Sequence, residues 1–243
     1  MHRFFISPKN INKEQVSFPI EIAHQIRNVL RLSVDTAVIV LDNSGWEYEV
    51  NLRQVDRQHV VGQAVAKRPS PNEPTAHLTL YQSLMKRDKF EWVLQKGTEI
   101  GVSHFVPLVT QRSLIQKVDI KDGKLARWEK IITEAAEQSR RGRIPTLQTP
   151  VTLGQALAKH PSQPGLIAWE ETKDVTLREV LSAGKRPSTI SLFIGPEGGF
   201  AAEEIGAAQT VGLTPITLGK RILRAETAAL VASALILYEL DEI

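Results

Sequence analysis

The chain has 243 residues, 42% of them apolar, which is enough to bury a sizeable core in one large domain or two of ordinary size. It has no cysteine, which excludes a disulfide framework, a thiolate metal site and a cysteine nucleophile. Lysine and arginine total 30 against 27 acids, so a net charge of +3 does not by itself announce a polyanionic partner, and the placement of the cations matters more.

The first ten residues mix His2, Arg3 and Lys9 with Phe4, Phe5 and Ile6 and show no export signal. Residues 20–32 place Ile22, Ile26, Val29 and Leu30 at helical spacing and leave His24, Arg27, Asn28 and Arg31 as a polar stripe. A strand over 36–42 runs into Asn43-Ser44-Gly45, after which Trp46, Tyr48, Val50 and Leu52 alternate with Glu47, Glu49, Asn51 and Arg53. That pattern predicts a hairpin with one buried face, and residues 59–67 read as a further strand. The expectation is a small β-rich domain carrying a short helix. Pro69, Pro71 and Pro74 then interrupt regular structure, which puts a boundary near Asn72 and divides the chain into domains 1–72 and 73–243.

Beyond the boundary, strands expected over 78–84, 104–109, 165–169, 190–194 and 215–218 alternate with helical segments, among them one from Asp88 and one over 123–141. Alternation of this kind predicts an α/β domain with a largely parallel sheet covered on both faces. The helix over 123–141 gathers Trp128, Ile131, Ile132, Ala135 and Ala136 on its apolar face and ends toward Arg140, Arg141 and Arg143. The most apolar window, 223–240, contains Arg224, Glu226 and Glu239, so it falls short of a membrane span and reads as a buried core helix. Together with the missing cysteines and export signal, this points to a soluble cytoplasmic protein.

Two loops carry the chemistry. The first is SLFIGPEGGFAAEEI (191–205), an apolar strand ending in Gly195-Pro196-Glu197-Gly198-Gly199 before a helix that begins near Ala201. Glycines let a ligand approach the backbone, and ligands of open α/β sheets bind beyond the carboxyl ends of the strands. The spacing matches neither a dinucleotide fingerprint nor a P-loop, and Glu197 would repel a phosphate, so a neutral or cationic ligand suits it better. The alternative is a turn shaped only for chain geometry. The second loop is LGKRILRAETA (218–228), which leads from a strand into the last helix. Glu226 is explained by the helix dipole, whereas Arg224 is a cation where the dipole disfavours one, so it calls for an anionic partner: an internal carboxylate or a substrate. The six histidines are scattered from His2 to His160 without metal-ligand spacing, and no metal is expected.

With both loops come HRFF (2–5), HQIRNVLRL (24–32), KRDKFEWVLQKGTEIGV (86–102) and TEAAEQSRRGRIP (133–145), in that order. Over essentially its whole length the sequence thus resembles the RsmE family of 16S ribosomal RNA uracil-N3 methyltransferases, within the SPOUT superfamily. The resemblance implies an N-terminal PUA-like RNA-binding barrel, a C-terminal methyltransferase domain with a trefoil knot, and a homodimer. It implies that Gly195, Pro196, Glu197 and Gly198, with Leu218, Gly219, Arg221, Ile222 and Leu223, hold S-adenosylmethionine, with Ala168 and Trp169 alongside, Trp169 either touching the cofactor or packing beneath it. Uracil N3 is a poor nucleophile until its imide proton leaves, so the site must supply a base or stabilise the anion. Arg224 is the candidate for stabilising the anion, and Glu197 or Glu226 for the base or for orienting that arginine.

Contact with 16S ribosomal RNA, free or in the small subunit, is expected from Arg3, Arg27, Arg31, Lys86, Lys89, Arg140, Arg141 and Arg143. The bland reading of each cluster is a solvated surface or, for Arg140 and Arg141, a favourable helix C-terminus. Two other functions compete: a non-enzymatic RNA-binding or ribosome-assembly factor, separated by cofactor binding, and a nucleotide-dependent oxidoreductase, for which the phosphate fingerprint is missing.

Overall fold

In the computed structural model the described residues are 1–86, 88–161, 163–182 and 186–243. The chain divides into two compact units. Unit 1 comprises Met1–Glu73 together with Ala136–Ile144, and unit 2 comprises Pro74–Ala135 and Pro145–Ile243. The division between Glu73 and Pro74 lies beside the cut expected near Asn72, and a later segment, Ala136–Ile144, also contributes to the first unit.

Unit 1 contains β1 (Arg3–Phe5), a 3-10 turn (Pro8–Asn10), β2 (Ile11–Asn12), β3 (Gln15–Ser17), α1 (Ile20–His24), β4 (Ala37–Leu41), β5 (Trp46–Val55) and β6 (Val60–Pro69). Its six-stranded sheet has the order β1-β4-β5-β6-β3-β2 and is antiparallel except where β1 pairs with β4. The alternation along β5 decides the inner face: Tyr48, Val50 and Leu52 pack with Phe4, Val16, Val38, Val40 and, from the helical segment, Ile26. Phe5, Ile39 and Leu41 point the other way and are covered by Ala136 and Ile144. The helix expected over 20–32 is shorter. After α1 it widens into a π turn (Gln25–Val29), and Arg31 takes a left-handed φ of 52° that stops it.

Unit 2 contains β7 (His77–Ser83), α2 (Asp88–Ile100), β8 (His104–Val109), most of α3 (Asp122–Gln138), β9 (Thr146–Leu147), β10 (Val151–Thr152), α4 (Leu153–Ala158), β11 (Gly165–Ala168), α5 (Leu177–Ser182), β12 (Thr189–Ile194), α6 (Ala202–Thr210), β13 (Leu213–Ile216) and α7 (Ala225–Glu239). Its strands are all parallel, in the order β10-β8-β7-β12-β11-β13, with β9 also on β8. On one face Tyr81 stacks on Phe193 at 4.0 Å within a core that includes Leu153, Leu157 and Ile205 of α4 and α6. The other face meets α7, which also packs on α2.

Three boundaries differ from expectation. The last strand forms over Leu213–Ile216 rather than 215–218, because it pairs with β11 directly after the turn at Gly212 (φ 85°), which frees Leu218 for a loop. The helix over 123–141 ends at Gln138, and Arg140 has a left-handed φ of 62°. α7 is not wholly buried: Ala228, Ala229, Ala232, Ile236 and Leu237 face inward while Val231, Leu235 and Tyr238 stand exposed. Among the described residues no helix is long and apolar enough to cross a membrane, and no group of His, Asp and Glu is arranged to hold a metal.

Candidate active site

β12, β11 and β13 lie side by side and parallel, so their carboxyl ends emerge at one edge of the sheet. The loops leaving these three strands enclose a cavity of about 580 Å³, a volume suited to a small-molecule ligand.

The loop after β12 supplies Gly195, Pro196, Glu197, Gly198 and Gly199 to the cavity wall. The Gly199 N–H closes it by donating to the Pro196 carbonyl at 3.0 Å. Gly199 has φ 68°, a left-handed backbone that favours glycine, and the Glu170 carboxylate lies beside it where a Cβ would be. A Cβ on Gly198 would press to 3.3 Å on Cβ of Arg112, whose guanidinium donates to the Gly198 carbonyl at 3.0 Å. The loop backbone is therefore held from behind and left bare toward the cavity.

The loop after β13 lines the cavity with Thr217, Leu218, Gly219, Lys220, Arg221, Ile222 and Leu223. Gly219 turns it with φ 107°, and the Gly219 N–H donates to the Thr217 hydroxyl at 3.2 Å. Ile222 is 88% exposed, an unusual position for so apolar a side chain. From the end of β11, between these loops, come Ala168, Trp169 and Glu170. Trp169 lines the cavity and packs against the core that contains Phe193 and Phe200.

Arg224 is the N-cap residue of α7. Its carbonyl accepts the Ala228 N–H at 2.8 Å, and its exposed side chain lines the cavity. Among the described residues Arg224 makes no ion pair, so no internal carboxylate claims it. Glu197 also lines the cavity without an ionic partner among the described residues. Glu226 does not line it. Glu226 is turned toward α2, where Lys89 Nζ sits 3.1 Å from its carboxylate. Burial works to raise the Glu226 carboxyl, but a hydrogen bond from its own backbone N–H, the Lys89 ammonium and the charge of Arg224 outweigh it and hold the group below the ordinary carboxylate range.

The remaining cations separate. Arg31, Lys86, Arg140 and Arg143 are exposed, and Arg27 is half-buried with its guanidinium on the Asp56 carbonyl at 2.6 Å. Arg143 donates to the Ser44 carbonyl at 2.7 Å. Arg3 is bound to the buried Glu47 at 2.6 Å, and Arg141, 3% exposed, to Glu73 at 2.6 Å, so both have a structural role inside unit 1. Lys89 lies in the cavity of unit 2. Glu170, Gly199, Thr217 and Lys89 also line the cavity, although nothing in the sequence assigned them to it. Of these only Gly199 was within the loops already singled out, and Lys89 carries no local sign of it.

The parallel sheet with its glycine loops and cavity at the strand ends lies within residues 71–237, which match the RNA methyltransferase domain family. Over 237 residues the chain is 36% identical to the ribosomal RNA small subunit methyltransferase E of Synechocystis, covering 96% of this chain and 76% of that relative. It is 31% identical over 250 residues to the ribosomal RNA small subunit methyltransferase E of Bacillus subtilis, covering 99% and 98%. The crystal structure of the Neisseria gonorrhoeae ribosomal RNA small subunit methyltransferase E bound to S-adenosyl methionine superposes with a TM-score of 0.86 at 30% identity, covering 98% of this chain and 97% of that one. The chain belongs to the ribosomal RNA small subunit methyltransferase E family.

Proposed function

We propose that the chain transfers a methyl group from S-adenosylmethionine to N3 of a uridine in 16S ribosomal RNA of the small subunit, acting in the cytoplasm. The observation that carries this is the cavity itself: bare glycine backbone on one wall and, on another, an arginine with no ionic partner among the described residues. The residues suit the cofactor. A Cβ on Gly198 or Gly199 would crowd the loop, and Glu170 and Glu197 offer carboxylates to a cationic ligand where a phosphate would be repelled. Gly195 to Gly199 and Leu218 to Leu223 would hold it, with Ala168 and Trp169 alongside.

When bound, S-adenosylmethionine supplies an electrophilic methyl and departs as a neutral thioether. The protein's work then lies with the nucleophile. Arg224 stabilises the charge that develops on the uracil oxygens as N3 loses its proton. Glu197, facing the cavity without an ionic partner among the described residues, takes that proton. Glu226, already held as a carboxylate by Lys89, has an electrostatic role at the start of α7.

Unit 1 serves as the PUA-like RNA-binding domain, with Arg27, Arg31, Arg140 and Arg143 as its phosphate contacts and Lys86 adding one from unit 2. A homodimer formed through α7 would cover Val231, Leu235 and Tyr238, which share one helical face. Calorimetric titration with S-adenosylmethionine, followed by mapping of methylated uridines in ribosomal RNA, tests the reading. Saturable binding that Gly198→Trp abolishes, with a 3-methyluridine product, is the expected result. A folded protein that binds RNA and never the cofactor would overturn it in favour of an assembly factor.

A further inference from the structure

Two cations act on one carboxylate at the start of α7, one by contact and one through its charge. Glu226, only 13% exposed in its side chain, is the second residue of the helix, and Lys89 reaches it from α2 with Nζ at 3.1 and 3.4 Å from its two oxygens. Arg224 precedes it by two residues and acts on the same carboxylate through its charge, yet forms no ion pair with it. A guanidinium fork matches a carboxylate better than an ammonium does, so an arginine whose charge already acts on this carboxylate is a natural competitor for it. Both Lys89 and Arg224 line the cavity.

We infer that Lys89 is a positioning residue: by occupying Glu226 it leaves the Arg224 guanidinium unpaired and directed to the cavity, ready for an anionic substrate group. This role depends on Arg224 acting on the developing anion, as in the proposed function. Its physical basis is the cost of a poorly solvated carboxylate without a counter-charge. Without Lys89, Glu226 would recruit the next cation, and that cation is Arg224. The pair therefore keeps a strong anion-binding group from being neutralised by the helix it caps.

The test uses Lys89→Met, Lys89→Arg and the double variant Lys89→Met/Glu226→Gln in the full-length chain, with two readouts. The crystal structure of Lys89→Met should place the Arg224 guanidinium within about 4 Å of Glu226, the reach of an ion pair. Turnover of Lys89→Met should fall about 10- to 100-fold, with the affinity for S-adenosylmethionine by calorimetry unchanged within about two-fold. Lys89→Arg should retain most turnover. The double variant should recover most of it, because no carboxylate remains to capture Arg224. If Lys89→Met does not fold well enough to assay, Lys89→Gln replaces it, since its amide can still hydrogen-bond Glu226 but carries no charge to hold the carboxylate. Arg224 still directed into the cavity in the Lys89→Met crystal, or a double variant no better than the single one, overturns the inference and makes Lys89 a direct substrate contact or a structural residue. Failure of the underlying reading looks different: wild type would bind RNA without methylating it, while the crystal structure would still report where Arg224 goes.

Discussion

In unit 1 the buried carboxylate of Glu47 is enclosed by Arg3 and Arg68, each at 2.6 Å, and Glu73 receives Arg141 and the backbone N–H groups of Gly142 and Arg143. In the cavity of unit 2, Glu170, Glu197 and Arg224 have no ionic partner among the described residues. The difference separates two uses of charge. A charge withdrawn from water must be paired or the fold is destabilised, so Glu47 and Glu73 act as clips that fasten strand to strand and segment to segment. A charge left unpaired at a cavity wall stays partly solvated and keeps its field for whatever enters.

Breaking the comparison on the cavity side should have the largest effect. Arg224→Ala is expected to lower turnover about 10²- to 10³-fold, roughly 3–4 kcal/mol, measured in single-turnover methyl transfer, while the melting temperature stays within a degree or two of wild type. An equal loss of stability would instead class Arg224 with the clips. On the unit 1 side, Glu73→Ala leaves the buried Arg141 without its carboxylate and should destabilise by about 3 kcal/mol, read from urea denaturation.

A smaller effect should follow acidification. Burial tends to raise the Glu47 carboxyl, but Arg3 and Arg68 hold it below its ordinary 4.5, and Asp56 is held at about 2 by the Gln54 amide and the backbone N–H groups of His59 and Gln58. Folded-state values that are depressed mean the folded chain binds fewer protons than the unfolded one. The stabilisation is complete above the ordinary carboxylate values and fades as the pH falls through the depressed ones, in the case of Asp56 between 3.8 and about 2. Carboxyl titration by NMR should show Asp56 and Glu47 protonating after the acids that lack such hydrogen bonds. The smallest effect belongs to the exposed pair of Arg53 and Asp35, 2.9 Å apart: Arg53→Ala should change stability by less than about 1 kcal/mol and lose even that in high salt.

Much of this molecule was legible along the chain. The alternation at Trp46, Tyr48, Val50 and Leu52 marked the inner face of β5, and the strand-to-glycine-to-helix transitions marked both loops of the cavity, because periodicity and turn chemistry are properties of neighbouring residues. Other features depended on residues far apart. Arg141 looked like a surface cation at a helix end and is instead buried on Glu73, 68 positions away. Lys89, read along the chain as one of several cations, joins Glu226 across 137 positions. Glu170 became a cavity residue because β11 lies between β12 and β13, an order the linear sequence does not state. Composition, patterning and motif order thus determined the kinds of elements, the two loops and the family, while only the tertiary structure decided which charges are neutralised inside the fold and which remain at the cavity. Pairing is set by the desolvation of groups that meet only after the sheets close.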